Sequence, residues 1–153
     1  MESLDRIIEK HPFTKGLKPE YLKLLSGIAT VMVFGPGDFL LRQGHEADLF
    51  YLIEKGKVSI EAFSSTGGPL MLQTLGSGQV LGWSWLVPPY QWRFDARAVE
   101  DTTAIAFESQ VLRLEMQKDH DLAYEFMSRF LSVLVLRVEA ARMQLLETYA
   151  AHS

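Results

Sequence analysis

The chain has 153 residues and no cysteine. Disulfides, thiolate catalysis, iron–sulfur clusters and cysteine-ligated zinc are therefore excluded. Basic charge is not in excess either: 15 Lys and Arg stand against 19 Asp and Glu, a net charge of −4. Without a basic field to steer polyanions, DNA and anionic membrane are disfavoured as partners. No apolar run reaches transmembrane length, and the opening M-E-S-L-D-R-I-I-E-K lacks an apolar signal core. A soluble, cytoplasmic protein is expected. The four histidines, His11, His45, His120 and His152, are scattered, with no metal-ligand spacing. His45, after Gly44, reads as a turn residue. Ser84 has no G-x-S-x-G context, and neither a phosphate-binding P-loop nor a general acid–base pair stands out. An enzyme, a metal or a fixed cofactor is not expected.

What is present describes one domain. Hydrophobic residues make up 48% of the chain and charged residues 22%, enough for a proper core. Residues 1 to 30 read as a helical segment, with Leu4, Ile7 and Ile8 on one apolar stripe and Tyr21, Leu22, Leu24, Leu25 and Ile28 on another. His11-Pro12 and Gly16 to Pro19 punctuate them, and Pro19 suits a helix start. Between 31 and 108 the period becomes two. Val31, Val33, Phe39, Leu41, Leu49, Tyr51, Ile53, Val58 and Ile60 alternate with more polar positions, and frequent glycines cut the run into short strands. Ser64 to Pro69 reads as a hairpin tip, and Ala104 to Phe107 as a last strand. The expected class is α+β but mainly β, an antiparallel sandwich or jelly roll with N-terminal helices.

From Ser109 the period returns to 3.6, so residues 109 to 153 read as a hinge and a long helix. A short capped helix covers Ser109 to Leu114, and the long one Asp119 to about Ala150. Met127, Leu131, Leu134, Val138, Ala141, Leu145 and Thr148 recur at spacings of four and three, a heptad seam. Phe126, Phe130, Val133, Ala140 and Met143 form a second stripe. Two apolar faces need two surfaces, here the chain's own β-domain and another helix. A homodimer through Leu131, Leu134, Val138, Ala141 and Leu145 is the economical expectation. The alternative is a lone helix folded fully onto the sheet.

The stretch from Gly82 to Ala98, G-W-S-W-L-V-P-P-Y-Q-W-R-F-D-A-R-A, concentrates the candidate site. It holds all three tryptophans, Trp83, Trp85 and Trp92, with Tyr90, and it reads as turn, short helix or loop, then strand. Arg93, Asp95 and Arg97 alternate with apolar residues. Pointing inward, Arg93 can meet an anion; pointing outward, the three form a solvated charge ladder, and the alternation fits both. Backbone N–H groups at Gly82, Trp83 and Ser84 are further anion donors if a helix starts there. Trp83, Trp85, Tyr90 and Trp92 can stack on a planar ligand, or they can fill the pocket.

The run Pro36 to Ile60, P-G-D-F-L-L-R-Q-G-H-E-A-D-L-F-Y-L-I-E-K-G-K-V-S-I, resembles the signature of the cyclic nucleotide-binding domain family. Pro36-Gly37, Gly44, Asp48, Tyr51, Ile53, Gly56, Val58 and Ile60 carry the match. The resemblance implies a β-roll flanked by helices, as in catabolite-activator-type regulators. The cupin fold is also similar, but its metal-binding H-x-H cluster is absent.

In that family the phosphate-binding cassette places a glutamate on the ribose and an arginine on the cyclic phosphate. Ungapped alignment from Gly82 puts Trp83 at the glutamate and Trp92 at the arginine. Two charge-assisted contacts, each worth about 1.5–3 kcal/mol, are thereby lost. Cyclic nucleotides are disfavoured, by at least about a hundredfold in affinity. The related regulators continue into a helix-turn-helix, for which a chain stopping at Ser153 leaves no room, so DNA reading by this chain is not expected. Two functions fit. One is a stand-alone dimeric sensor that binds a small anionic or nucleotide-like ligand and signals through a protein partner. The other is a ligand-free structural or interaction module with an aromatic-plugged pocket.

Overall fold

The computed structural model describes residues 3–151 except Thr66, with the Ser64 side chain also left aside. The expected hairpin tip is thus described except at Thr66, while His152 and Ser153 lie outside the described residues. Two short helices come first. In α1 (Leu4–Lys10) the Ser3 hydroxyl caps the Arg6 N–H at 3.4 Å. In α2 (Pro19–Gly27) proline occupies the first turn, where its missing N–H costs nothing. Eight strands follow: β1 (Ala29–Phe34), β2 (Phe39–Leu41), β3 (Leu49–Lys55), β4 (Lys57–Ser64), β5 (Gly68–Gly76), β6 (Val80–Leu81), β7 (Asp95–Ala98) and β8 (Thr102–Glu108). They form two four-stranded antiparallel sheets, ordered β1-β8-β3-β6 and β2-β7-β4-β5. The chain is thus mainly β, a jelly-roll-like β-roll closed by helices.

One expectation is reversed in register. The sequence pattern set Val31 and Val33 on the buried face of the first strand, yet they are 49% and 75% exposed. Met32 and Phe34 point inward instead. The strand pairs only with β8, at the sheet edge. A one-residue shift there exchanges the two faces, and an edge strand tolerates outward valines. The β3–β4 turn pivots on Gly56, where φ is +106° and a Cβ would lie 2.4 Å from Thr102 Oγ1 and 2.6 Å from the Asp101 carbonyl. No side chain fits that corner.

After β8, α3 (Ser109–Lys118) turns the chain into α4 (His120–Ala151), a helix of 32 residues and about 48 Å. The Asp119 carboxylate caps α4, accepting from the N–H groups of Asp121 and Leu122 at 3.1 and 3.2 Å. Its first turns bury Leu122, Phe126 and Phe130 against the roll, and two turns further on Arg137 meets Val80 of β6 and Gln73 of β5. Every residue from 138 to 151 is exposed. Among the described residues no helix is long and apolar enough to cross a membrane.

The elements converge on one aromatic cluster. Phe50 of β3 stacks on Trp85 (centroids 4.9 Å apart, planes at 10°) and on Phe107 of β8 (5.0 Å, 21°). Phe130 of α4 stands edge-on to Phe50, Trp85 and Phe13, at 5.7, 5.6 and 4.8 Å. Such pairs add to the burial energy of the rings themselves. Trp85→Ala is expected to cost about 3–5 kcal/mol of unfolding free energy in a denaturant titration, more than Trp85→Phe. A loss below about 1 kcal/mol would contradict the cluster's role.

His11 fastens the N-terminal segment to the roll. Its Nδ1 accepts the Phe13 N–H at 3.1 Å, so Nε2 carries the proton and donates to the Ile53 carbonyl at 3.1 Å. Burial lowers its pKa below the ordinary 6.5, outweighing the Ile53 carbonyl and Glu54, which raise it. Protonation would place a hydrogen where Nδ1 must accept. The unfolded chain therefore binds this proton first, and stability is lost as pH falls below about 6.5 through the lower folded value. The melting temperature of the wild type is expected to fall more between pH 7 and pH 5 than that of His11→Asn, which keeps the acceptor. Parallel curves would refute this assignment.

Candidate functional site

The stretch from Gly82 to Ala98 packs as a wedge between the roll and the two last helices. At Gly82 φ is +99°, and a Cβ there would lie 2.6 and 2.9 Å from the ring of Trp92. Glycine is therefore required twice, by the backbone and by the indole pressed against it. A single 3-10 turn follows (Ser84–Leu86), which is too short to present the helix N-terminus that the sequence suggested. Trp85 is fully buried and Ser84 is 4% exposed. The Trp85 indole N–H donates to the Gly82 carbonyl at 3.2 Å, and its rings sit in the core cluster. Trp85 is thus a core residue, not a stacking face for a ligand.

Trp92 is 4% exposed. Its backbone donates to the His45 carbonyl and accepts from the Gly44 N–H, at 2.9 and 2.8 Å. The corner at His45 therefore holds this strand end, as the turn reading anticipated. Tyr90 takes a positive φ of 58° and is held by Arg113 of α3. That guanidinium lies 3.8 Å over the Tyr90 ring and donates to the Trp85 carbonyl at 2.8 Å.

The alternation after Trp92 resolves outward. Ala96 and Ala98 face the interior at 0% and 1% exposure, so Asp95 and Arg97 point away from it. Asp95 accepts the Gln43 N–H at 2.7 Å and lies 3.8 Å from Arg42. Arg97 pairs with the buried Glu61 at 2.7 Å. Arg93 is exposed at the bend before β7 and makes no hydrogen bond or ion pair among the described residues. A charge ladder on the outside of the sheet is the outcome, and these residues do not converge on a ligand.

The space that remains lies on the other side of the wedge. A cavity of about 650 Å³ opens between β4, β5, the Trp83–Phe94 pair and α4. Ile60, Leu70 and Leu72 form its sheet wall. Trp83 meets Phe94 edge-on at 6.3 Å and forms one end. Leu134, Val138, Ala141, Leu145 and Thr148, five residues of the seam, form the helix wall, while Leu131 stays outside it at 60% exposure. Of the candidate ligand residues read from the sequence, Trp83 alone reaches this cavity.

Arg137 is the residue that the sequence reading missed. Its guanidinium lies 4.7 Å over the Trp83 ring and donates to the Val80 carbonyl, while the Gln73 amide donates to its backbone carbonyl at 3.0 Å. Burial lowers its pKa to about 10, so it stays charged at neutral pH. Among the described residues no carboxylate pairs with it. A signal was available: Arg137 interrupts an apolar face at the i+3 position from Leu134 and the i−4 position from Ala141. No group of three potential metal ligands gathers among the described residues.

The family model described as cyclic nucleotide-binding domain matches residues 31–119, more than half of the chain. A relative named anaerobic regulatory protein, from Bacillus subtilis (strain 168), is 25% identical over 133 residues. That alignment covers 85% of this chain and 55% of the relative, so the chain spans about half the relative's length. Among solved structures, a candidate cyclic nucleotide-binding protein from Geobacter metallireducens GS-15 superposes with a TM-score of 0.79 at 23% identity. The match covers 90% of this chain and 99% of that one. The catabolite activator protein of Thermus thermophilus gives a TM-score of 0.68 at 24% identity, over 88% of this chain and 61% of that one. The two structures share the fold described above, and the family match carries the assignment: this chain belongs to the cyclic nucleotide-binding domain family.

Proposed function

We propose that the chain is a regulatory sensor domain without enzymatic activity, whose ligand site is the cavity between the roll and α4. The observation that carries this reading is the position of the helix wall. Leu134, Val138, Ala141 and Leu145 line the cavity and belong to α4, the helix that follows the roll. Occupancy therefore changes the surroundings of the helix, and a ligand with different affinity for two helix positions shifts their populations. Arg113 ties the same wedge to α3, which gives the hinge a second contact with the site.

The ligand differs from a cyclic nucleotide in this reading. Trp83 and Trp92 stand where the family's glutamate and arginine stand, and Trp92 is packed onto Gly82. The second reading, a ligand-free interaction module, draws on that same packing, because Trp92 is buried against Gly82 and presents nothing to a ligand. Calorimetry with cyclic AMP and cyclic GMP is expected to show binding at least about a hundredfold weaker than the family's charged contacts would give. A dissociation constant in the low micromolar range or tighter would refute it. Trp83→Glu, the one of the two positions in the cavity wall, is expected to improve cyclic AMP binding.

We also propose that α4 pairs with a second copy. Leu134, Val138, Ala141 and Leu145 of the expected interface face the cavity instead, whereas Leu131 together with Tyr124, Val135 and Tyr149 is exposed, lies outside the cavity and follows heptad-like spacing along one side of the helix. Burying this stripe supplies the second surface that the sequence pattern demands. Light scattering is expected to give a dimer for the wild type and a monomer for Leu131→Lys with Val135→Lys, two positions outside the cavity. A wild-type monomer at tens of micromolar would contradict the pairing.

A further inference from the structure

The lining of the cavity constrains what it takes. Its walls are aliphatic and aromatic, from Leu72, Trp83, Phe94 and Leu134 to Val138 and Leu145. Against these stands one cation, Arg137, with Gln73, Gln144 and Thr148 as the polar remainder. A ribose and a charged cyclic phosphate would need several polar partners on the cassette, where this chain presents indole rings. A space of about 650 Å³ is within the usual range for a small-molecule site.

Arg137 is held as a receptor group would be held. One N–H is committed to the Val80 carbonyl, and the guanidinium carbon lies 4.7 Å from the centre of the Trp83 ring. A guanidinium has five N–H donors, so most remain for an anion. Its orientation is fixed before any ligand arrives, which reduces the ordering cost of binding. No carboxylate of the described residues neutralises it. The Trp83–Phe94 pair beside it offers an aromatic face at the same end of the cavity.

Building on the proposed ligand role of this cavity, we propose that it receives an apolar, aromatic monoacid, with the carboxylate on Arg137 and the ring system between Trp83, Phe94 and the leucines of β5 and α4. Charge complementarity selects the acid, and the dry walls reject a polyhydroxylated nucleotide. A charge-assisted contact of this kind changes affinity by about 10- to 100-fold.

The test compares 2-naphthoate, its uncharged isostere 2-naphthamide and cyclic AMP by calorimetry on the full chain. Naphthoate is expected to bind about 10-fold or more tightly than the amide. Arg137→Gln is expected to weaken naphthoate more than the amide, so that the difference between acid and amide collapses. Arg137→Lys, which keeps the charge but not the fork, is expected to fall between wild type and Arg137→Gln. Circular dichroism melts establish that each variant folds, and the acid–amide comparison in the wild type stands even if neither does. Equal binding of acid and amide, lost together in Val138→Glu, would overturn the acid class and leave the cavity as the ligand site. Binding of cyclic AMP alone would likewise overturn the acid class and leave a ligand site. Absence of binding by all three compounds up to millimolar concentration would overturn both readings.

Discussion

The contact between Phe50, Trp85 and Phe130 is the constraint on which the rest of the molecule depends. It joins a central strand, the turn after Gly82 and the first half of α4 in one packed cluster. Each ring is almost wholly buried, so the position of any one fixes the other two. Trp85 reaches the cluster only because the chain turns tightly after Gly82. The same turn leaves Trp83 on the opposite side, facing the cavity. Two tryptophans two residues apart thus serve different ends, one the core and one the site.

Charge is organised around that wedge rather than within it. Arg113 anchors the wedge to α3 through the Trp85 carbonyl and the Tyr90 ring. Arg137 anchors it to α4 through the Val80 carbonyl and the Trp83 ring. Both arginines reach in from helices that follow the roll. In the family's usual arrangement the cassette itself carries the ligand's charged partners; here the cassette is aromatic, and the cation comes from the helix. In the proposed reading a ligand that meets Arg137 touches α4 directly, without a relay through the sheet.

Much of the fold was legible because periodicity reports burial faces directly. The switch from 3.6 to two and back again located the roll between its helices, and Pro19, Asp119 and the glycine turns marked boundaries closely. Val31 and Val33 misled because alternation reveals two faces without saying which is inner, and an edge strand can expose aliphatic side chains. In the candidate site the sequence singled out a stretch from which only Trp83, of the candidate ligand residues, lines the cavity, and alternation could not say which face that would be. Trp85, Trp92 and Trp83 are equivalent in one dimension; only the turn at Gly82 separates core from cavity. The cation was invisible for a different reason. Arg137 lies 54 positions beyond Trp83 in the sequence, and their contact exists only once α4 lies across the roll.

The central claim is that this chain keeps a ligand cavity between roll and helix while abandoning cyclic nucleotide chemistry. Native mass spectrometry of the purified protein, followed by identification of whatever small molecule it retains, tests this most directly. The account predicts a retained apolar acid, lost when Val138 is replaced by glutamate in the cavity wall. Cyclic AMP or cyclic GMP retained at one molecule per chain would contradict it.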